Sequence, residues 1–120
     1  MIFTRLPVVV VLDNVRSLYN TGSFFRTADA CAVERLLLCG ITPRPDQGGR
    51  QRRSIAKTAL GAELTVPWEH QADTRTAVSG LAAAGYQIVG RYVAEIYTPD
   101  GYVDHIHTEI HRAAGLALLQ

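Results

Sequence analysis

Asn20, Gly22 and Arg26 are the residues whose types and spacing point most directly to chemistry. Gly22 and Arg26 are four apart, so on a helix they share one face. A glycine there leaves backbone bare one turn from a guanidinium, where a phosphate or a sugar can approach closely. The amino end of a helix adds unpaired N–H groups and positive potential. Asn20 can cap such a helix and still turn an amide outward. A simple capped helix with a solvated arginine uses the same residue types, so both readings stay open on the residues alone.

Arg50, Arg52 and Arg53, with Arg44 nearby and Lys57 one turn on, form the one dense basic cluster. It reads as phosphate contact with nucleic acid or as a solvated loop. The alternation His105, His107, Glu109, His111 puts polar groups on one face of a strand. Such side chains stand about 7 Å apart along the strand, too far for several to close on one ion, so no metal is expected. Cys31 and Cys39 are eight apart, which is neither a metal spacing nor a redox pair. Glycine-rich dinucleotide and nucleotide loops, the Gly-x-Ser-x-Gly elbow and His-Glu-x-x-His are all missing from the sequence.

These residues need a scaffold. Pro7 to Leu12, with four valines in a row, suits a central parallel strand buried on both sides. Asp13 to Tyr19 reads as a loop. Asn20 or Thr21 is the expected N-cap of a helix running to about Ala32, with Phe24, Phe25 and Ala28 at helical spacing. Glu34 to Cys39 is a second strand ended by Gly40, and Ile41 to Arg53 reads as loop. Ser54 to Leu60 is expected as a short helix stopped by Gly61, and Leu64 to Trp68 as a third strand. Ala72 to Ala84 reads as an amphipathic helix with Val78, Leu81 and Ala82 on its apolar side, and Tyr86 to Val89 or Val93 as the fourth strand. Thr98 to Gly101 signals a turn. His105 to His111 and Gly115 to Leu119 read as further strands. The alternation predicts an α/β fold: an open, mostly parallel sheet with helices on both faces. Ligands in such sheets sit at the carboxyl ends of strands, and Asp13 to Asn20 is such an end.

The chain has 120 residues, which fits one domain over residues 1–120. Its hydrophobic share of 48% allows a core. The net charge of +1 gives no global pull toward nucleic acid, so any such argument rests on local clusters. No run is long enough to span a bilayer, and a cytoplasmic protein without membrane partners is the expectation.

The segment Asp13-Asn14-Val15-Arg16 … Asn20-Thr21-Gly22-Ser23-Phe24-Phe25-Arg26-Thr27-Ala28-Asp29-Ala30 resembles the first signature motif of the SpoU (TrmH-like) branch of the SPOUT RNA methyltransferases. Spacing and residue types agree across the segment. Lys57-Thr58-Ala59-Leu60-Gly61-Ala62 is similar to a second family block, and the likeness covers about residues 6–90. The resemblance implies an α/β-knot fold, a homodimer, and S-adenosylmethionine-dependent methylation of a ribose 2′-oxygen in tRNA or rRNA. It matches Asn20 and Arg26 to the family's active-site asparagine and arginine. The resemblance thus makes Asn20 and Arg26 the expected catalytic pair. Asn14, Arg16, Gly22, Arg50, Arg52, Arg53 and Lys57 become the RNA contacts.

The family continues with a Gly-Asn-Glu motif and a Ser-Leu-Asn segment, which form the knot and hold the methyl donor. Here Gly115 to Leu119 is similar to the buried strand before them, and the sequence stops at Gln120. Residues 90–120 are expected to be a divergent tail, and the cofactor-binding residues are unknown. The expectation is an RNA-facing half of a methyltransferase site, inactive or weak alone. The rival readings are a non-catalytic RNA-binding or dimerising relic and a truncated reading frame.

Overall fold

A computed structural model describes the backbone of residues 5–97, 103–112 and 116–119, and the side chains of residues 5–88. Strand β1 is Leu6–Asp13, helix α1 is Leu18–Cys31, and strand β2 is Val33–Cys39. Helix α2 (Gly49–Ala59) and a single 3-10 turn (Ala62–Leu64) lead to strand β3, Trp68–Gln71. Helix α3 (Thr74–Ala83) is followed by strands β4 (Gln87–Tyr97), β5 (Val103–Arg112) and β6 (Leu116–Leu119). The strands lie in the order β3-β2-β1-β6-β4-β5. Pairing is parallel from β3 through β4, and β5 runs antiparallel to β4 and β6. The expected α/β class and mostly parallel sheet are what the structure shows.

The four valines do what a two-sided central strand requires. Successive side chains on a strand point to opposite faces. Val10 and Leu12 therefore join Leu36 and Leu38 under α1 and α2, packing with Phe25, Ala28, Ile55 and Ala59. Val9 and Val11 join Leu37 and Cys39 on the other face, under Ala77 and Leu81 of α3. Helices thus cover both faces. Val78 packs at the margin of the second cluster as expected, whereas Ala82 is exposed and falls off the buried stripe.

Several boundaries differ from expectation. The cap of α1 is Ser17 and not Asn20 or Thr21: the Asn20 N–H donates to Ser17 Oγ at 3.1 Å. Thr21 is instead buried inside the helix, its hydroxyl donating to the Ser17 carbonyl at 2.8 Å. Helix α2 begins at Gly49, so Gly49 to Arg53 are helical and not loop. A helix so rich in arginine has no apolar periodicity in its first turn to announce it. The third strand comes later than expected, because the chain keeps turning after Gly61. Leu64, Thr65 and Val66 donate to the carbonyls of Gly61 and Ala62, and pairing starts only at Leu36 N–H to Pro67 carbonyl. The strand that forms, Trp-Glu-His-Gln, is an edge strand whose polar composition hides it.

Among the described residues of the tail, the backbone is regular. β4 runs past Val93 to Tyr97 and pairs with β5, which carries His105, His107, Glu109 and His111. The turn expected at Thr98 to Gly101, the residue Gly115, and the side chains of the histidine set lie outside the described residues.

Helices α1 and α2 cross at Gly22. A Cβ there would run into Thr58 Oγ1 and the Ile55 carbonyl of α2. Thr58 Oγ1 also donates to the Tyr19 carbonyl at 2.6 Å, one turn earlier on α1. Gly22→Ala is therefore expected to lower the unfolding free energy by about 1–3 kcal/mol, although alanine is the better helix former by roughly 1 kcal/mol. Urea denaturation of the two proteins checks this, and a more stable variant would show that the helices do not touch at Gly22.

Candidate functional site

The loop after β1 is held by the loop after β2. Asn14 sits in the left-handed region, φ 54°, which asparagine tolerates better than most residues. Its N–H donates to the Cys39 carbonyl at 3.2 Å, and its Oδ1 accepts from the Ile41 N–H at 3.0 Å. Gly40, φ 64°, must lack a side chain because a Cβ would strike that same Oδ1. Thr42 is the hub between the two loops. Its Oγ1 donates to the Cys39 carbonyl at 2.8 Å, lies 3.1 Å from the Leu12 carbonyl, and accepts from the Val15 N–H at 3.1 Å. Nothing in its sequence context marks it, yet it is buried where two strand ends meet.

From that anchored loop the chain enters α1. Tyr19 is half-exposed, Asn20 partly buried, and Arg16 and Arg26 exposed. Asn20 and Arg26 are six residues apart on one helix. Ideal geometry places them about 9 Å apart along the axis and roughly 120° apart around it. They do not converge on one atom; a group the size of a nucleotide could span them. Gly22, expected to be open to a ligand, is instead buried in the α1–α2 crossing. Its bare backbone accommodates a helix and not a phosphate, so it leaves the set of RNA contacts.

The basic cluster also divides. Arg50, Arg53 and Lys57 are spaced i, i+3, i+7 on α2 and form one exposed stripe, whereas Arg52 projects from another side of the helix. Lys57 Nζ lies 5.9 Å from the centre of the Tyr19 ring, which links this stripe to the start of α1. Arg44 stands apart. It makes two hydrogen bonds to Asp46, at 3.0 and 2.9 Å, and lies over the Trp68 ring at 5.9 Å. Its guanidinium holds the Asp46 carboxyl below the usual carboxylate range.

A cleft of about 600 Å³ opens at the carboxyl ends of β1, β2 and β3, between Asp13, Asn14 and Gly40 on one side and Asp73, Thr74 and Arg75 on the other. Thr74 Oγ1 donates to Asp13 at 2.6 Å, and Asp73 caps α3 through the Arg75 N–H at 3.1 Å. The hydrogen bond from Thr76 and that cap hold the Asp73 carboxyl below its ordinary range. This lining is mainly polar, with Ala72 and Val78 its apolar members. It lacks the apolar slot that an adenine ring would need, so the described side chains do not fit S-adenosylmethionine there. Among the described residues no group of three or more His, Cys, Asp or Glu could hold a metal ion, and no helix is long and apolar enough to cross a membrane.

The family model for SpoU rRNA methylases matches residues 7–114. The chain belongs to the SpoU rRNA methylase family. Members resembling it include the 23S rRNA (guanosine-2′-O-)-methyltransferases RlmB of Shewanella oneidensis and Neisseria meningitidis. The first is 32% identical over 72% of this chain and 33% of its own length. The second is 30% identical over 70% of this chain and 32% of its own. An AdoMet-bound rRNA methyltransferase from Sinorhizobium meliloti superposes with a TM-score of 0.55 at 26% identity, over 70% of this chain and 30% of that one. This SpoU chain therefore spans about a third of the length of the relatives it matches.

Two expectations follow from the packing around the site. Burial pushes the Cys39 thiol up to about 11, with Asp13 and Asp73 adding to the shift and a hydrogen bond with Thr74 opposing it. The folded state therefore favours the protonated thiol, and the resulting stability is present below pH 9 and lost as pH rises toward 11. With a thiol reagent at pH 8, the exposed Cys31 should react promptly and Cys39 only after unfolding; two fast thiols would contradict the burial. Thr42→Val should cost about 1–3 kcal/mol of stability in thermal or urea melts, because it strands the Val15 N–H in the interior.

Proposed function

We propose that this chain is the RNA-facing part of a ribose 2′-O-methyltransferase acting on tRNA or rRNA. One observation carries the reading: the start of α1, with exposed Tyr19 and partly buried Asn20, lies beside the exposed cationic stripe of α2, and Arg26 is exposed further along the same helix. The family match and the rRNA methyltransferase names of the relatives support the same class of reaction.

Arg50, Arg53 and Lys57 would track phosphates, giving salt-dependent affinity that carries no sequence information. Asn20 offers an amide to the ribose. Arg26 does not act as the base, because a guanidinium keeps its proton. Its role is to hold the adjacent phosphate and stabilise charge developing on the 2′-oxygen. Asn14 and Arg16, on the loop that leads into α1, are further RNA contacts in this reading; Asn14 would use its amide nitrogen, since its oxygen is committed to Ile41. Arg52, off the stripe, is the weakest of the proposed contacts.

The methyl donor is proposed to be S-adenosylmethionine, which the solved relative binds. No described side chain is assigned to its pocket. A second reading is a non-catalytic RNA-binding or dimerising protein, which the exposed stripe of Arg50, Arg53 and Lys57 would serve equally well. The proposal includes a cytoplasmic homodimer, which sedimentation of the purified chain tests for oligomeric state.

Labelled methyl appearing in rRNA or tRNA fragments separates the two readings: transfer supports the enzyme, and salt-sensitive binding without transfer supports the second. In an active protein, Arg26→Ala should lower turnover about 100-fold or more, far more than it lowers RNA affinity. A fall in affinity with unchanged turnover per bound RNA would reduce Arg26 to a phosphate contact. In gel shifts at several salt concentrations, Arg50→Ala and Arg53→Ala should each lower the salt slope by about 1. Arg52→Ala should lower it least.

A further inference from the structure

We infer that Tyr19 is a stacking platform for a nucleobase, placed to seat the base next to the ribose that Asn20 meets. The inference rests on the RNA-facing reading of α1 and adds a base contact that the phosphate stripe cannot supply. Tyr19 is 51% exposed, a large share for an aromatic ring on a helix whose other face is packed. Its backbone is fixed twice over: the carbonyl accepts from Thr58 Oγ1 at 2.6 Å and from Ser23 Oγ at 3.0 Å. The ring is thus carried on a braced turn with only two side-chain torsions left to order. Lys57 Nζ lies 5.9 Å from the ring centre, so the cationic stripe of α2 leads directly to the ring. Tyr19 and Asn20 are consecutive on α1, with Cα atoms about 3.8 Å apart and side chains about 100° apart around the axis, so a base on the ring and a ribose at Asn20 would approach from adjacent sides of the same turn.

Unstacked bases of RNA loops are commonly held on aromatic rings, because every base has a π-face. A phosphate-only interface would have no use for an exposed phenol there. The juxtaposition of cation, ring and amide fits an RNA loop with one base splayed out and is poorly suited to a continuous duplex.

The test uses the 120-residue chain and an RNA hairpin with 2-aminopurine in its loop. Binding of the wild type should quench the fluorophore and weaken with salt. Tyr19→Leu should lose about 5- to 150-fold in affinity and lose the quenching, with the salt slope unchanged. Tyr19→Phe should keep both affinity and quenching, and Lys57→Ala should lower the salt slope by about 1. Circular dichroism of each variant confirms that the fold is retained. If the wild type binds salt-dependently and Tyr19→Leu binds and quenches equally well, the stacking role is wrong and the RNA-facing reading survives. If the wild type does not bind RNA at all, both fall.

Discussion

Helices α1 and α2 touch where Gly22 has no side chain, and much of the candidate site hangs on that contact. The close approach brings Thr58 against the carbonyl of Tyr19 and seats Ile55 in the core beneath Phe25. It also carries the exposed side of α2 up to the start of α1, where Lys57 meets the Tyr19 ring. A methyl group at Gly22 would press on Thr58 and Ile55 and loosen that juxtaposition. A packing constraint in the interior therefore decides which charges share the outside.

A second set of bonds holds the other end of the same region. The loops after β1 and β2 are tied by Asn14 and Thr42, both polar and both occupied by backbone partners. These bonds satisfy groups that would otherwise be stranded at the ends of two buried strands. They also set where α1 begins, three residues after the Thr42-bound Val15. The candidate site on α1 thus inherits its position from the sheet and not from the exposed residues themselves.

Charge at the surface is sorted by the same logic. Four arginines lie close together between positions 44 and 53, and in sequence they look like one patch. In three dimensions Arg44 is claimed by Asp46 and Trp68, Arg52 faces away from the stripe, and Arg50 and Arg53 align with Lys57. Helical phase, and not sequence proximity, divides them. The polar cleft at the strand ends reaches from Asn14 to the start of α3, and Asp73 makes its α3 side a poor neighbour for an anionic polymer.

The sequence by itself determined the parts that depend on local pattern. Four consecutive valines can only be satisfied by burial on both faces, so the central strand and the helices flanking it were readable. The spacing of Asn20 and Arg26 within a long shared motif carried the family. Tertiary structure alone decided what depends on residues far apart in the chain. Gly22 read as an opening for a ligand because nothing nearby shows that Thr58 and Ile55 will fill it. Ser17 took the cap expected of Asn20, and α2 started inside an arginine run that has no apolar rhythm. Trp-Glu-His-Gln became a strand only because β2 offered it an edge. Thr42 and Tyr19 were invisible as site residues for the same reason: a hydroxyl and a phenol acquire their meaning from what is folded against them.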